Sequence, residues 1–215
     1  MKRRTIDLVV SAGGLLIAAI LLVGGLVFTS NANFAKTYVA DQLGQQKITF
    51  KTADTLTDEE KQRACLVEYA GQALTSGKQA ECYANNFIGL HLEGIAGGKT
   101  YAELGDVQID LKAKIAEAQK TNAANLADLQ AQLTAANGQR ETVFKGETLR
   151  GLLLTSYGFS ELGAKAELAA TVAYIGAGLM FLLAALGFWH GARTPATETF
   201  AAPAVAARKP ESANA

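Results

Sequence analysis

Leu8–Phe28 reads LVVSAGGLLIAAILLVGGLVF and Ala169–Trp189 reads AATVAYIGAGLMFLLAALGFW, and neither stretch contains a charged residue. At about 1.5 Å per residue, a helix of this length reaches roughly 30 Å, the depth of a bilayer's hydrocarbon layer. The sequence between them is polar or amphipathic. Lys2, Arg3 and Arg4 precede the first span, and Arg193, Arg208 and Lys209 follow the second. Basic residues at both outer ends predict that both termini are cytoplasmic, in a multi-pass protein of the cell membrane. Trp189 and His190 fall where the second span meets the headgroups. The first span also has the basic start of a signal peptide, with Ser30-Asn31-Ala32 as a cleavage site, but its apolar core exceeds the roughly 7–15 residues of that class.

The predicted organisation is all-α: two transmembrane helices flanking an extracytoplasmic helical bundle. The segments are a cytoplasmic N-terminus (1–7), a first span (8–28), an outer domain (29–167), a second span (168–190) and a disordered, Ala/Pro-rich cytoplasmic tail (191–215). The 215 residues carry 20 basic and 20 acidic side chains, and 49% of them are hydrophobic. This composition rejects a disordered polyelectrolyte, and it lacks the basic excess of a nucleic-acid binder. Small residues share one face of each span: Ser11, Gly14, Ala18 and Gly25 on the first, and Ala170, Ala173, Ala177 and Ala184 on the second. Such faces let helix backbones approach closely. They serve either to pack the spans on each other or to dock another membrane protein.

In the outer segment, Phe34, Tyr38, Val39 and Leu43 share a helical face, and Lys47–Lys51 alternates like a short extended connector. Thr57-Asp58-Glu59-Glu60 is a capping box that opens a helix to about Ala70. Gly71–Lys78 is turn-like, and a second helix covers Gln79–Ile95. Thr100–Glu103 repeats the capping pattern. The apolar spacing over 106–137 fits either one helix or a hairpin bent at Asn122–Asn125; the cap-forming Thr121, Asn122 and Asn125 favour the hairpin, with Gly138 ending its second arm. Gly146–Phe159 is apolar on one side, through Leu149, Leu152, Leu153, Tyr157 and Phe159, and Gly158 and Gly163 allow a bend.

Cys65 and Cys82 are the only cysteines. Their midpoint lies inside the Gly71–Lys78 turn, so an antiparallel pair of helices brings them together. A disulfide is expected in an oxidising compartment. The competing readings, a redox-active pair or a zinc site with His91 and a glutamate, lack close C-x-x-C spacing. His91 with Glu93, near Glu68 or Glu81, is a candidate acid/base group, against the plainer reading of a packed or surface histidine. Arg140, Glu141, Lys145, Glu147 and Arg150 read as a solvated helix face or a docking rim. An iron facial triad needs two histidines and a carboxylate; His91 and His190 fall on opposite sides of the predicted bilayer, so one copy cannot supply both. No motif implies a cofactor.

The segments SNANFA (30–35), QQKITFKTADTLTDEEK (45–61), CLVEYAGQAL (65–74), GKQAECYANNFIGLH (77–91) and FKGETLRGLLLTSYGFS (144–160) resemble a family of small actinobacterial two-span membrane proteins. Its members are often labelled "aromatic ring-opening dioxygenase LigA". The similarity covers about residues 1–191 and implies a membrane protein of this architecture, with no catalytic residues to carry over. The expected function is non-enzymatic: an accessory or scaffold component of the envelope that touches the lipid bilayer and a protein partner. The alternatives are a sensor-like input module for an extracytoplasmic ligand, or an envelope enzyme.

Overall fold

The computed structural model describes residues 2–199. In chain order it contains α1 (Arg3–Gln45), α2 (Asp58–Lys61), α3 (Ala64–Glu68), α4 (Gly77–Cys82), a π-helical turn (Tyr83–Ile88), α5 (Gly89–Glu93), a 3₁₀ turn (Ala96–Gly98), α6 (Tyr101–Thr121) and α7 (Leu126–Arg193). Among the described residues β pairing is confined to isolated bridges, so the fold is all-helical. α1 and α7 each contain a window long and apolar enough to cross a membrane. The chain divides into two compact units, Met1–Ser30 with Ala166–Ala215, and Asn31–Lys165.

The first unit is an antiparallel pair formed by the N-terminal part of α1 and the C-terminal part of α7. A side chain added at Gly14 would meet Ala184, one at Gly176 would meet Leu21, and one at Gly187 would meet Ser11; residue numbers fall on one helix as they rise on the other. Ser11, Ala18, Ala170, Ala173, Ala177 and Ala184 are all buried, whereas Val9, Leu16, Ile20, Val23, Val172, Ile175, Leu179 and Leu183 are exposed. Small residues face inward and large ones outward, the reverse of a water-soluble core. Ser11, Ala18 and Gly25 on α1, and Ala170, Ala177 and Ala184 on α7, recur every seven residues, the repeat of a left-handed helical seam. The Tyr174 ring lies against Gly25, and its hydroxyl meets Thr29 Oγ1 at 3.0 Å.

The beginning of the segment expected to be a disordered tail is ordered. α7 continues to Arg193, whose guanidinium stacks on Trp189. The Arg3 N–H donates to Glu198 O at 3.1 Å, and Lys2 bridges Thr199. His190 Nδ1 lies 3.0 Å from Asp7 Oδ2. Backbone and charge pairing between the two chain ends gives residues 191–199 partners that the composition did not reveal. Residues 200–215 lie outside the described part.

In the second unit the core gathers Val39 and Leu43 of α1, Phe50, Leu56, Leu66, Leu74, Ala80, Ala84 and Leu153 of α7 around the buried Cys82. The face of α1 that enters it is Ala32, Ala35, Val39 and Leu43; Phe34 and Tyr38 point outward and cluster with Phe159. Ala35 is buried because α7 approaches it at Gly163, where an added Cβ would come within 2.8 Å of the Ala35 methyl. The 47–51 connector is not solitary. Phe50 N–H donates to Gln72 O, Gly71 N–H to Lys51 O and Leu74 N–H to Ile48 O, each at about 3 Å. Gly71 adopts φ 73°, which suits glycine.

Several helices break differently from the apolar pattern. The Thr57 capping box forms, but the helix from Asp58 stops at Lys61 and restarts at Ala64 through an extended Arg63. Six residues of unbroken helix would turn Leu66 about 120° away from Glu60; the break buries both. The Thr100–Glu103 box also forms, and a third, Ser76–Gln79, starts α4. Residues 106–137 form a hairpin: α6 ends at Asn122 with φ 48°, a left-handed cap that asparagine tolerates, and α7 begins at Leu126. Gly138 does not end the second arm, and no break occurs at Gly158 or Gly163. Packing at Ala136, Val143, Leu153 and Gly163 carries the helix through, against a glycine cost of about 1 kcal/mol each. In the hairpin seam Arg140 Nη1 donates to Gln108 Oε1 at 2.7 Å, Gln108 Nε2 donates to Asn137 Oδ1 at 2.7 Å, and the guanidinium stacks on Tyr101.

Cys65 in α3 and Cys82 at the end of α4 form a disulfide with Cα atoms 6.0 Å apart. Replacing both with serine is expected to cost about 3 kcal/mol, read as a lower denaturation midpoint of the detergent-solubilised chain. Gly25→Leu drives a side chain into the Tyr174 ring; a loss of about 2 kcal/mol is expected, measured as a lower melting temperature. Gly24→Leu serves as the control, since open space surrounds Gly24.

Candidate functional site

His91 sits on α5, and the structure pairs it with none of Glu93, Glu68 or Glu81. Its Nε2 lies 3.6 Å from Oε1 of Glu60, and its Nδ1 lies 2.6 Å from the Phe87 carbonyl. Glu60 is 1% exposed. Lys51 Nζ donates to both of its carboxylate oxygens, at 2.8 and 3.0 Å, and the Thr57 N–H donates to Oε2 at 2.8 Å. The Lys51 ammonium also lies 5.4 Å from the centre of the Phe87 ring, which packs on the His91 imidazole. Glu60 therefore closes the helix cap, anchors the connector that carries Lys51 and meets α5 through His91. With its oxygens accepting from Lys51 and Thr57 and the His91 ring 3.6 Å away, this carboxylate works as an internal tie.

The sequence pattern marked Glu60 only as the fourth residue of a capping box. Its burial follows from Lys51, which the pairing of 48–51 with 71–74 brings over the start of α2. That pairing depends on residues far apart in the chain, so no local spacing announces it.

The other candidate acids are dispersed. The Glu68 carbonyl accepts from Gln72 Nε2. Glu81 lies 3.8 Å from Lys78, whose ammonium also meets Glu161 at 3.1 Å. Hydrogen bonds to the Tyr157 hydroxyl and to Glu161 push the Lys78 pKa up to about 12. Both cysteine sulfurs are joined to each other, so the zinc reading loses its thiolates. Among the described residues no three His, Cys, Asp or Glu side chains converge on one point.

Glu93 instead lines a cavity of about 570 Å³, together with Leu92, Lys99, Val143, Glu147 and Arg150. Arg150, read from the sequence as part of a solvated face, is half-buried there; Asn85 Oδ1 accepts from its Nη2 at 3.2 Å, and Glu147 lies 3.3 Å from its Nη1. Asn85 belongs to the π-helical turn, a local feature that often accompanies functional sites. The small-residue positions Ser11, Gly14, Ala18, Gly25, Ala170, Ala173, Ala177 and Ala184 lie in the seam between α1 and α7, within the first unit.

Comparison of the chain with models of known protein families, with curated proteins and with solved structures finds no match.

Burial, the largest single influence on Glu60, pushes its pKa up, but the Lys51 ammonium, the Thr57 N–H and the charges of Lys51 and His91 outweigh it and hold the group below its ordinary value of 4.5. A carboxyl whose folded pKa lies below its unfolded one stabilises the fold above the unfolded value and loses that contribution as pH falls. Stability is expected to drop below about pH 4.5. The acid limb should flatten in Glu60→Gln, as measured by denaturation at stepped pH. Lys51→Met leaves a buried carboxylate without its main partner and is expected to cost about 3 kcal/mol at neutral pH.

Proposed function

We propose that the chain is an integral membrane protein with two spans and an extracytoplasmic, disulfide-stapled helical domain, and that it acts as a non-enzymatic accessory or scaffold protein of the cell envelope. The observation that carries this reading is the large apolar surface left outside α1 and α7. Lipid is the natural cover for the exposed Leu, Ile and Val side chains of the spans. The same cover does not extend along all of α7. Phe144, Leu152, Phe159 and Leu162 are exposed, and their spacing keeps them within about 80° of one another around the helix. They precede Ala169 by 7 to 25 residues, outside the uncharged stretch that forms the span. Acyl chains end at the span, so a protein partner is the fitting cover for this row.

The buried carboxylate supports a non-enzymatic role. Glu60, the acid nearest His91, is engaged by Lys51 and Thr57 and nearly closed to solvent. Acid/base work needs a group that can reach substrate. The cavity beside Arg150 favours a second reading, an input module that binds an extracytoplasmic ligand.

Two measurements test the proposal. A protease site inserted between Asn122 and Asn125 should be cut by protease added to intact spheroplasts; protection from outside, with cleavage only after lysis, would reverse the orientation. A photo-crosslinking side chain at Leu152 or Phe159 should capture a discrete protein in native membranes, and one at Thr142, on the other side of α7, should not. Crosslinks to lipid alone at all three positions would remove the scaffold reading.

A further inference from the structure

The cavity of about 570 Å³ in the second unit falls in the range of small-molecule sites, roughly 300–1,000 Å³. Its lining has three distinctive features. Lys99 and Glu93 both border it, and neither makes an ion pair among the described residues. Arg150 also borders it, with Nη2 donating to Asn85 Oδ1 and Nη1 donating to Glu147. Leu92 and the buried Val143 add an apolar wall.

The charges select among ligand classes. Glu147 is already matched to Arg150, which leaves Lys99, whose charge acts only weakly on Glu103 outside the cavity lining, and Glu93 as the two lining charges without an ion pair. A simple anion would satisfy Lys99 but face Glu93, and a simple cation would do the reverse. A dipolar ligand with an apolar body satisfies both and covers Leu92 and Val143. A cavity of this volume exceeds the needs of a single amino acid. The backbone at the rim is also specialised: Ala96, Gly97 and Gly98 are all left-handed, at φ 55°, 65° and 74°. A non-glycine residue held in that region is a strained feature that surrounding structure must maintain.

We infer that this cavity binds a short peptide with free termini and apolar side chains. Its carboxylate is taken by Lys99, and its ammonium is taken by Glu93. The inference rests on the ligand-binding reading above and gives it a substrate class; it does not depend on the scaffold role. Lys99 and Glu93 are exposed, so changing either leaves the core of the unit intact.

The test is calorimetric titration of the full-length chain in detergent with leucyl-leucine, its N-acetyl form and its C-terminal amide. The unmodified dipeptide is expected to bind, and each blocked form to bind at least tenfold more weakly. Lys99→Gln should weaken the dipeptide about tenfold while leaving the already weak amide little changed. Glu93→Gln should do the same for the dipeptide and the acetylated form. Equal binding of blocked and unblocked peptides would overturn the inference. Lack of dipeptide binding would overturn it too, and thermal-shift measurements with leucine, isovalerate and isopentylamine then separate the two levels: a shift by any of them leaves the ligand-binding reading standing without the peptide assignment, and no shift removes both.

Discussion

Close approach of two long helices requires small residues where they face each other, and this constraint shapes α1 and α7. In the first unit Ser11, Ala18 and Gly25 meet a face built from Ala170, Ala177 and Ala184. Val9, Leu16, Ile20, Val172, Ile175 and Leu183 lie outside the seam, while Leu21 and Tyr174 fit against Gly176 and Gly25. In water that arrangement would expose a large apolar surface; in a bilayer, lipid tails solvate Leu and Val as well as a protein interior would. The same rule reappears on the later part of α1, where Ala32 and Ala35 are buried and Phe34 is not. The seven-residue register from Ser11 through Ala18, Gly25 and Ala32 to Val39 marks one face along the helix.

The second unit depends on different physics. Its core is modest and α2 to α5 are short, so fixed covalent and polar ties contribute much of the order there. The Cys65–Cys82 bond joins α3 to α4. Glu60 joins the connector, the start of α2 and α5 through Lys51, Thr57 and His91. A buried carboxylate is costly unless its oxygens are satisfied. Here both accept hydrogen bonds, from Lys51 and the Thr57 N–H, so the cost is offset where the pairing of 48–51 with 71–74 sets Lys51 over the start of α2.

Legibility differed between these layers for physical reasons. Capping boxes at Thr57 and Thr100 and the hairpin turn at Asn122 depend on residues within four positions of one another, so local spacing reveals them. The Cys65–Cys82 pairing was legible because only two cysteines exist and a turn lies midway between them. His91 was visible as a candidate, but its partner was not, because Glu60 comes to it through a break in the helix and a pairing distant in sequence. Arg150 read as part of a solvated face or a docking rim, and Lys99 carried no reading at all. Their interest comes from a cavity assembled by α5, the loop before α6 and α7, which no local pattern describes. Glycine misled in the opposite sense: Gly138, Gly158 and Gly163 look like interruptions, but packing along α7 outweighs their low helix propensity.

By itself, the amino-acid sequence determined that the chain is helical, that two uncharged stretches are long enough to cross a bilayer, and that two cysteines flank a turn. These are consequences of composition, length and short-range periodicity. Only the tertiary structure decided that residues 126–193 form one helix, that the beginning of the C-terminal tail pairs with the N-terminus, and that Glu60 rather than Glu93 meets His91. Those outcomes depend on which surfaces are buried together, and burial is a property of the folded chain as a whole.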